Sequence, residues 1–370
     1  MPERVLIVGG GIGGMCCAIM LGRLGYAIDL VDIDPQWRAL GAGLTIGCAA
    51  LRAFRSIGVL DEVSQQGFLS HRARFVNWAG AVVMEQDLPE SEDGLPGMGG
   101  ILRPVLHAIL ARHVRAGSAD VRLGVTVTSL DQHDDRVDAV FTDGSRRSYA
   151  FVIGADSLGS TVRGLVFPDA PKPRFTGQGC WRLVVPKPPE IVGPVFCVDA
   201  PNPTGMTPIS DTLFYMYLLT HEPENRFIPA EVQLAEMRQL LRGAGGLFGE
   251  IRERMDETYL VNYRPLEALL LPKPWSRGRI LLVGDAAHAT TPHIGFGAGL
   301  AVEDAVVLAD ELARDRDPAA AFTRFTERRF ERAKYVIETS VHLGEMEMSG
   351  RMKERLAAAA AAQVKLLEPI

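Results

Sequence analysis

The chain has 370 residues, 47% hydrophobic and 23% charged, an ordinary globular composition with length enough for two domains. A formal net charge of −6 gives no reason to expect nucleic acid or an anionic membrane as partner, so an anionic substrate would need a local positive site. The cysteines, Cys16, Cys17, Cys48, Cys180 and Cys197, lack metal-ligand spacing, and their odd number suits reduced thiols in a cytoplasm.

Residues 5–22 carry no charge, but they are rich in glycine and the start Met-Pro-Glu-Arg has no basic n-region, which argues against a signal or membrane segment. They read instead as a buried strand over 5–8, the loop Gly9-x-Gly11-x-x-Gly14, and an apolar helix over 15–24 ended by Gly25. A second strand over 27–31 delivers Asp32. In a dinucleotide fold the glycines admit a pyrophosphate to the helix N-terminus, and the acid takes ribose hydroxyls. That signature does not separate FAD from NAD.

Leu40-Gly41-Ala42-Gly43 follows, then an apolar-periodic helix over 48–57. Residues 68–87 alternate like strands, and 89–99 are rich in Gly, Pro and acids, an excursion into a second domain. Ile101-Leu102-Arg103-Pro104 opens a helix with Leu106, Ile109 and Leu110 on its buried face. Strands are expected over 121–130 and 137–141, with a hairpin turn at Asp143-Gly144. A strand over 151–155 leads into Asp156-Ser157-Leu158-Gly159-Ser160-Thr161-Val162-Arg163. Residues 175–272 are strand-like and punctuated by proline, with Leu213, Tyr215 and Tyr217 on one face of a strand and outer helices over 229–241 and 249–255. A strand over 280–283 stops at Gly284-Asp285. A loop of small residues and Pro292 follows, then Gly295, Gly297 and Gly299, then a helix burying Val302, Ala305, Val306, Ala309 and Leu312. The chain beyond is helical, and Ala357 to Ala362 read as a helix end open to fraying.

The stretch Gly284, Asp285, His288, Pro292, Gly295, Gly297, Gly299, Asp304 closely resembles the second flavin motif of single-component FAD-dependent aromatic hydroxylases, the family of p-hydroxybenzoate and salicylate hydroxylases. Phe296 stands where that family has glutamine, and 156–163 match its DGxxSxVR pattern except for Ser157 in the glycine position. Serine enters the left-handed region less readily than glycine. The resemblance spans residues 9–304 and implies an α/β protein: a Rossmann-like FAD-binding domain (1–70, 100–170 and 275–330), an inserted mixed β-sheet substrate domain (71–99 and 171–274), and a C-terminal helical segment (331–370). It implies FAD contacts from Gly9, Gly11, Ile12, Gly14, Asp32, Ile33, Arg38, Gly43, Arg103, Val127, Asp156, Asp285, Pro292, Gly295, Phe296, Gly297, Ala298 and Gly299.

The chemistry so implied is reduction of non-covalently bound FAD by NADH or NADPH, addition of O₂ at the flavin, and transfer of one oxygen to a small aromatic or heteroaromatic ring, a phenolic or hydroxypyridine acid. A single GxGxxG leaves no second nucleotide domain, so the nicotinamide would visit as a transient co-substrate. His293 follows Pro292 as in salicylate and hydroxynicotinate hydroxylases, and an imidazole can accept a phenolic proton near neutrality; an orienting loop residue is the alternative. Tyr215 and Tyr217 are candidates for ring contact and catalysis or a core pair, and Arg182 for a substrate carboxylate or a surface ion pair. No metal is expected, and a homodimer stays open. The competing class is a non-hydroxylating oxidase or reductase on the same fold.

Overall fold

The computed structural model describes residues 2–39, 42–88, 90, 94–117 and 119–370. A six-stranded sheet has the order Ser276–Arg277, Ile280–Leu282, Phe151–Gly154, Arg4–Val8, Ala27–Asp32, Asp120–Leu123, parallel except at its first pair. Its central strands are buried on both faces, which is why they read as short apolar runs rather than alternating ones. Among the described residues the α-helices, in chain order, are α1 (Ile12–Arg23), α2 (Cys48–Ile57), α3 (Leu60–Gln66), α4 (Arg103–Ala116), α5 (Thr161–Val166), α6 (Ala230–Leu240), α7 (Gly246–Arg254), α8 (Gly297–Arg314), α9 (Pro318–Met348) and α10 (Met352–Leu366). α1 and α8 pack together beside the parallel sheet, and α9 covers α8.

An eight-stranded mixed sheet joins His288–Ala289, Asn262–Leu270, Arg174–Pro186, Leu213–His221, Thr204–Pro208, Val195–Cys197, Arg72–Val76 and Val82–Asp87 in that order. One face buries Trp181, Leu183, Val185, Phe214 and Met216 with residues of α6 and α7 in a second apolar core. The other face carries Cys180, Arg182, Tyr215, Tyr217 and Leu219. A small antiparallel sheet, Gly43–Gly47, Met98–Leu102 and Phe68–Ser70, abuts that second face. A Cβ on Gly43 would come 2.4 Å from Tyr215 Cβ, and Thr45 Oγ1 lies 3.2 Å from Thr207 Oγ1.

Several expectations change on the structure. The strand expected over 121–130 is two, because Gly124 at φ +73° turns the chain out of the parallel sheet into the meander Val127–Gln132, Val137–Phe141, Arg146–Tyr149. Ile101 and Leu102 close a strand rather than open a helix; α4 begins at Arg103 with Pro104 in its first turn, where a missing N–H costs nothing. Leu40 and Gly41, and part of the 89–99 loop, lie outside the described residues. Ser157 adopts φ +70°, the conformation that glycine favours. The alanine-rich tail is a docked helix: Ala362 and Leu366 are buried, and Arg52 donates to the carbonyls of Leu367 at 2.8 Å and Glu368 at 2.9 Å.

α8 is buried along most of its length, charges included, and α9 answers them. Asp304 Oδ2 accepts from Gly284 N at 2.8 Å and lies 2.6 Å from His288 Nε2, while Oδ1 accepts from Arg329 Nε at 2.8 Å. Arg329 Nη1 also reaches Glu303 at 2.8 Å, and Arg332 holds the other Glu303 oxygen at 2.7 Å. This network fixes the Gly284-Asp285 turn against α8. No helix among the described residues is long and apolar enough to cross a membrane.

Candidate active site

The first strand ends on a loop whose glycines answer to different demands. Gly9 sits at φ +107°, and a Cβ there would come 2.3 Å from the Ala155 carbonyl; on Gly14 it would come 1.9 Å from the Gly9 carbonyl. The first lets the loop nest against Ala155, and the second lets α1 close onto the loop. Gly11, the N-cap of α1, has nothing within 4 Å of its Cβ position, so its backbone stands open at a helix N-terminus, a natural anion seat. Ile12 begins the helix. Asp32 orders the same loop, accepting from Gly10 N at 2.7 Å and Asp34 N at 2.8 Å.

Trp37 Nε1 donates to Gly10 O at 2.8 Å, and His107 meets the Trp37 ring edge-on at 5.3 Å. Neither residue was visible as a partner in the sequence; the signal available was that His107 lies four residues after Arg103 on one face of α4. Ile33 is exposed beside this loop. Arg38 pairs with Asp34 at 3.2 Å on the surface, and Val127 is buried at the start of the meander. The Asp156 carboxylate accepts from Val162 N at 3.0 Å and from Ser160 Oγ, and Ser160, the N-cap of α5, accepts from Arg163 N at 2.9 Å. Arg163 then donates to Ala286 O at 2.9 Å, tying this motif to the turn at Asp285.

Asp285 is exposed, but into a recess ringed by protein. Burial among those atoms raises its carboxyl from the usual range, opposed by His288 and Arg103. Arg103 faces the same recess from the start of α4, with its own pKa lowered by burial and supported by Asp285. Neither side chain has a hydrogen-bond partner among the described residues. An unpaired acid and base, together with the open N-terminus of α1, fit the diphosphate and hydroxyl groups of a dinucleotide. Pro292 is exposed at the rim, Gly295 takes φ +71°, and Gly297, Ala298 and Gly299 form the first turn of α8. Phe296 is 2% exposed, and its ring lies 2.3 Å from where a Gly299 Cβ would be, so the position offers its backbone rather than its side chain.

Across the recess stands the second face of the mixed sheet. Tyr215 and Tyr217 have ring centroids 6.4 Å apart, and Arg182 lies beside the Tyr215 hydroxyl. Burial pushes the Tyr215 phenol up to about 12 against the pull of Arg182 and Arg103, and burial raises Tyr217 too. Both stay neutral donors near pH 7. His293 is turned the other way. Its side chain is 1% exposed, with Nδ1 2.8 Å from Thr291 Oγ1 and Nε2 3.2 Å from Glu347 Oε2, the latter off the line of a good hydrogen bond. Both ring nitrogens therefore face protein groups. Nothing local in the sequence marks Glu347, a glutamate near the end of a long polar helix, as buried.

Residues 3–340 match the FAD binding domain family FAD_binding_3. The 6-hydroxynicotinate 3-monooxygenase of Bordetella bronchiseptica is 30% identical over 353 residues, covering 91% of this chain and 90% of its own. The 3-hydroxybenzoate 6-hydroxylase 1 of Aquipseudomonas alcaligenes is 28% identical over 352 residues, with coverage of 91% and 87%. The fold is that of Klebsiella pneumoniae HpxO complexed with FAD and uric acid, at a TM-score of 0.88 and 22% identity over 99% of this chain and 97% of that one. Matched from its first strand into α9, the chain belongs to the single-component FAD-dependent aromatic hydroxylases and is an FAD-dependent monooxygenase.

Proposed function

We propose that the chain hydroxylates a phenolic or hydroxypyridine acid at the expense of NADH or NADPH and O₂. The observation that carries this reading is the run of groups from Asp285 through Arg103 and Tyr215 to Arg182, which joins a cofactor half to a substrate half at one recess. The chemistry that FAD supplies when bound is acceptance of a hydride and delivery of one oxygen atom to the ring. This chain's own residues bind, orient and dry the site.

The N-terminus of α1 and Arg103 would hold the diphosphate, Asp32 a ribose and Asp285 a ribityl hydroxyl. The N–H groups in the first turn of α8 would face the flavin's polar edge, where they favour negative charge. Arg182 takes the substrate carboxylate, a half-buried cation of the right sign in a chain that is acidic overall. Tyr215 and Tyr217, held neutral, donate hydrogen bonds to ring substituents. His293, held between Thr291 and Glu347, takes the ring-hydroxyl proton through water rather than by direct contact. Ile294 and the apolar parts of the sheet face limit water at the reacting carbon. Five free, buried cysteines support a cytoplasmic setting.

A panel of small phenolic and hydroxypyridine acids tests the reading. NAD(P)H oxidation is expected to be slow alone and to accelerate with at least one of them, because a visiting nicotinamide needs substrate-linked movement of the flavin. Stimulation by neutral arenes alone would remove Arg182 from the substrate site.

A further inference from the structure

α9 and α10 follow the nucleotide fold in sequence, yet they grip the loop that carries Pro292 and Gly295. Near the end of α9, the Glu347 side chain is 1% exposed. One of its oxygens lies 3.2 Å from His293 Nε2 and accepts from Gln178 Nε2 at 3.1 Å; the other accepts from Arg355 Nε of α10 at 2.9 Å. A Cβ on Gly344, one turn earlier, would come 3.0 Å from the His293 ring, so glycine makes the space in which the imidazole lies. One residue further along the loop, the Ile294 carbonyl accepts from Gln363 Nε2 of α10 at 2.9 Å. Arg332 and Arg52 anchor the far end of α10 through the Leu366 carbonyl, at 3.0 and 3.4 Å.

A carboxylate this buried is costly unless each oxygen is answered. Arg355 answers one; the other is shared between Gln178 and an imidazole whose Nε2 is off-axis. Simple packing of α9 against the loop would be served better by an apolar side chain. The arrangement instead fixes the ring of His293 in the flavin loop, and it does so from a different part of the chain. Tyr217 stands close to both Glu347 and Arg355, so the same cluster borders the face given to substrate.

We propose that Glu347, balanced by Arg355, is a positioning residue for hydroxylation: it sets the orientation of His293 and, with Gln363, the shape of the flavin loop. The C-terminal helices are then part of the active centre rather than an appendage. This rests on the reading of the chain as an aromatic hydroxylase with His293 serving oxygen transfer.

The test is a double-mutant cycle on the full-length holoprotein with Glu347→Gln, His293→Gln and the pair. Glu347→Gln is expected to keep its FAD, to lower coupled product formation by about 10- to 100-fold with peroxide rising, and to leave the KM of the aromatic acid nearly unchanged. Once His293→Gln is present, Glu347→Gln adds little, because groups acting as one unit are non-additive. Arg355→Gln, whose side chain is partly exposed, gives a smaller effect of the same kind and serves if Glu347→Gln gives too little holoprotein. Additive losses, or unchanged coupling in Glu347→Gln, would overturn the proposal. Failure of the hydroxylase reading shows separately, as wild-type protein that no aromatic acid stimulates. The visible flavin band of Glu347→Gln then decides: a shift from wild type keeps the clamp, and an identical band removes it.

Discussion

Replacing Asp285 with alanine isolates the cofactor half of the site. In the folded chain its carboxylate faces the recess and no described residue hydrogen-bonds it, so the substitution breaks no internal hydrogen bond. A charge-assisted hydrogen bond to a ligand hydroxyl is worth about 1.5–3 kcal/mol, or roughly ten- to a hundred-fold in Kd. Part of that is returned, because burial already opposes ionisation of this carboxyl. The lower half of the range is therefore expected. Folding of the apoprotein should change by less than about 0.5 kcal/mol, as for a side chain without partners. Titrating apoprotein with FAD while following flavin fluorescence gives the affinity, and urea unfolding of the apoprotein gives the stability. Asp285→Asn, which keeps a hydrogen-bonding side chain, should lose less than Asp285→Ala. Wild-type affinity in the alanine variant, or an apoprotein weakened by several kcal/mol, would refute this placement.

Arg329→Met should destabilise the chain by about 3–5 kcal/mol in urea unfolding, because it leaves Glu303 and Asp304 buried with a partner gone. A loss below about 1 kcal/mol would count against the network. Asp304 carries a pH signature: burial raises its carboxyl, but the His288 and Arg329 charges outweigh this and hold it at about 2. Its folded value lies below its unfolded one, so its contribution, on the order of 2 kcal/mol, is complete above about pH 4 and fades as pH falls toward 2. The stability difference between wild type and Asp304→Asn should shrink over that window and not at higher pH. Ser157→Gly should stabilise the chain by up to about 1 kcal/mol, since a serine at φ +70° is strained and glycine is not; destabilisation in urea would show that the serine is held there by something stronger.

What the sequence discloses here is local. A pyrophosphate loop needs strand, glycines and helix N-terminus within a few residues, so Gly9 to Gly14 can be read from spacing, whereas Gly284 to Gly299 is read as a flavin loop through its resemblance to a family motif. Asp32 follows because it ends a strand that the apolar run already marks, and Asp285 because it lies in the turn just after one. The joining of the halves is not local. Arg103 meets Tyr215 only once the small sheet through Gly43 abuts the mixed sheet, and that depends on strand register. Met98–Leu102 is hard to see as a strand, because its two glycines remove the alternation that would announce it. His293 and Glu347 lie far apart in sequence, and Glu347 resembles any solvated glutamate until α9 folds back over the loop. The docking of α10 likewise hangs on Arg52 and Arg332, single cations among many.

The most direct test of the account is the fate of oxygen. With isotopically labelled O₂, NAD(P)H and an acid that stimulates oxidation, the product is expected to carry one labelled atom on its ring, at an amount that tracks the NAD(P)H consumed less the peroxide formed. Stimulated NAD(P)H oxidation with every product unlabelled, and all consumed oxygen recovered as peroxide or water, would contradict it.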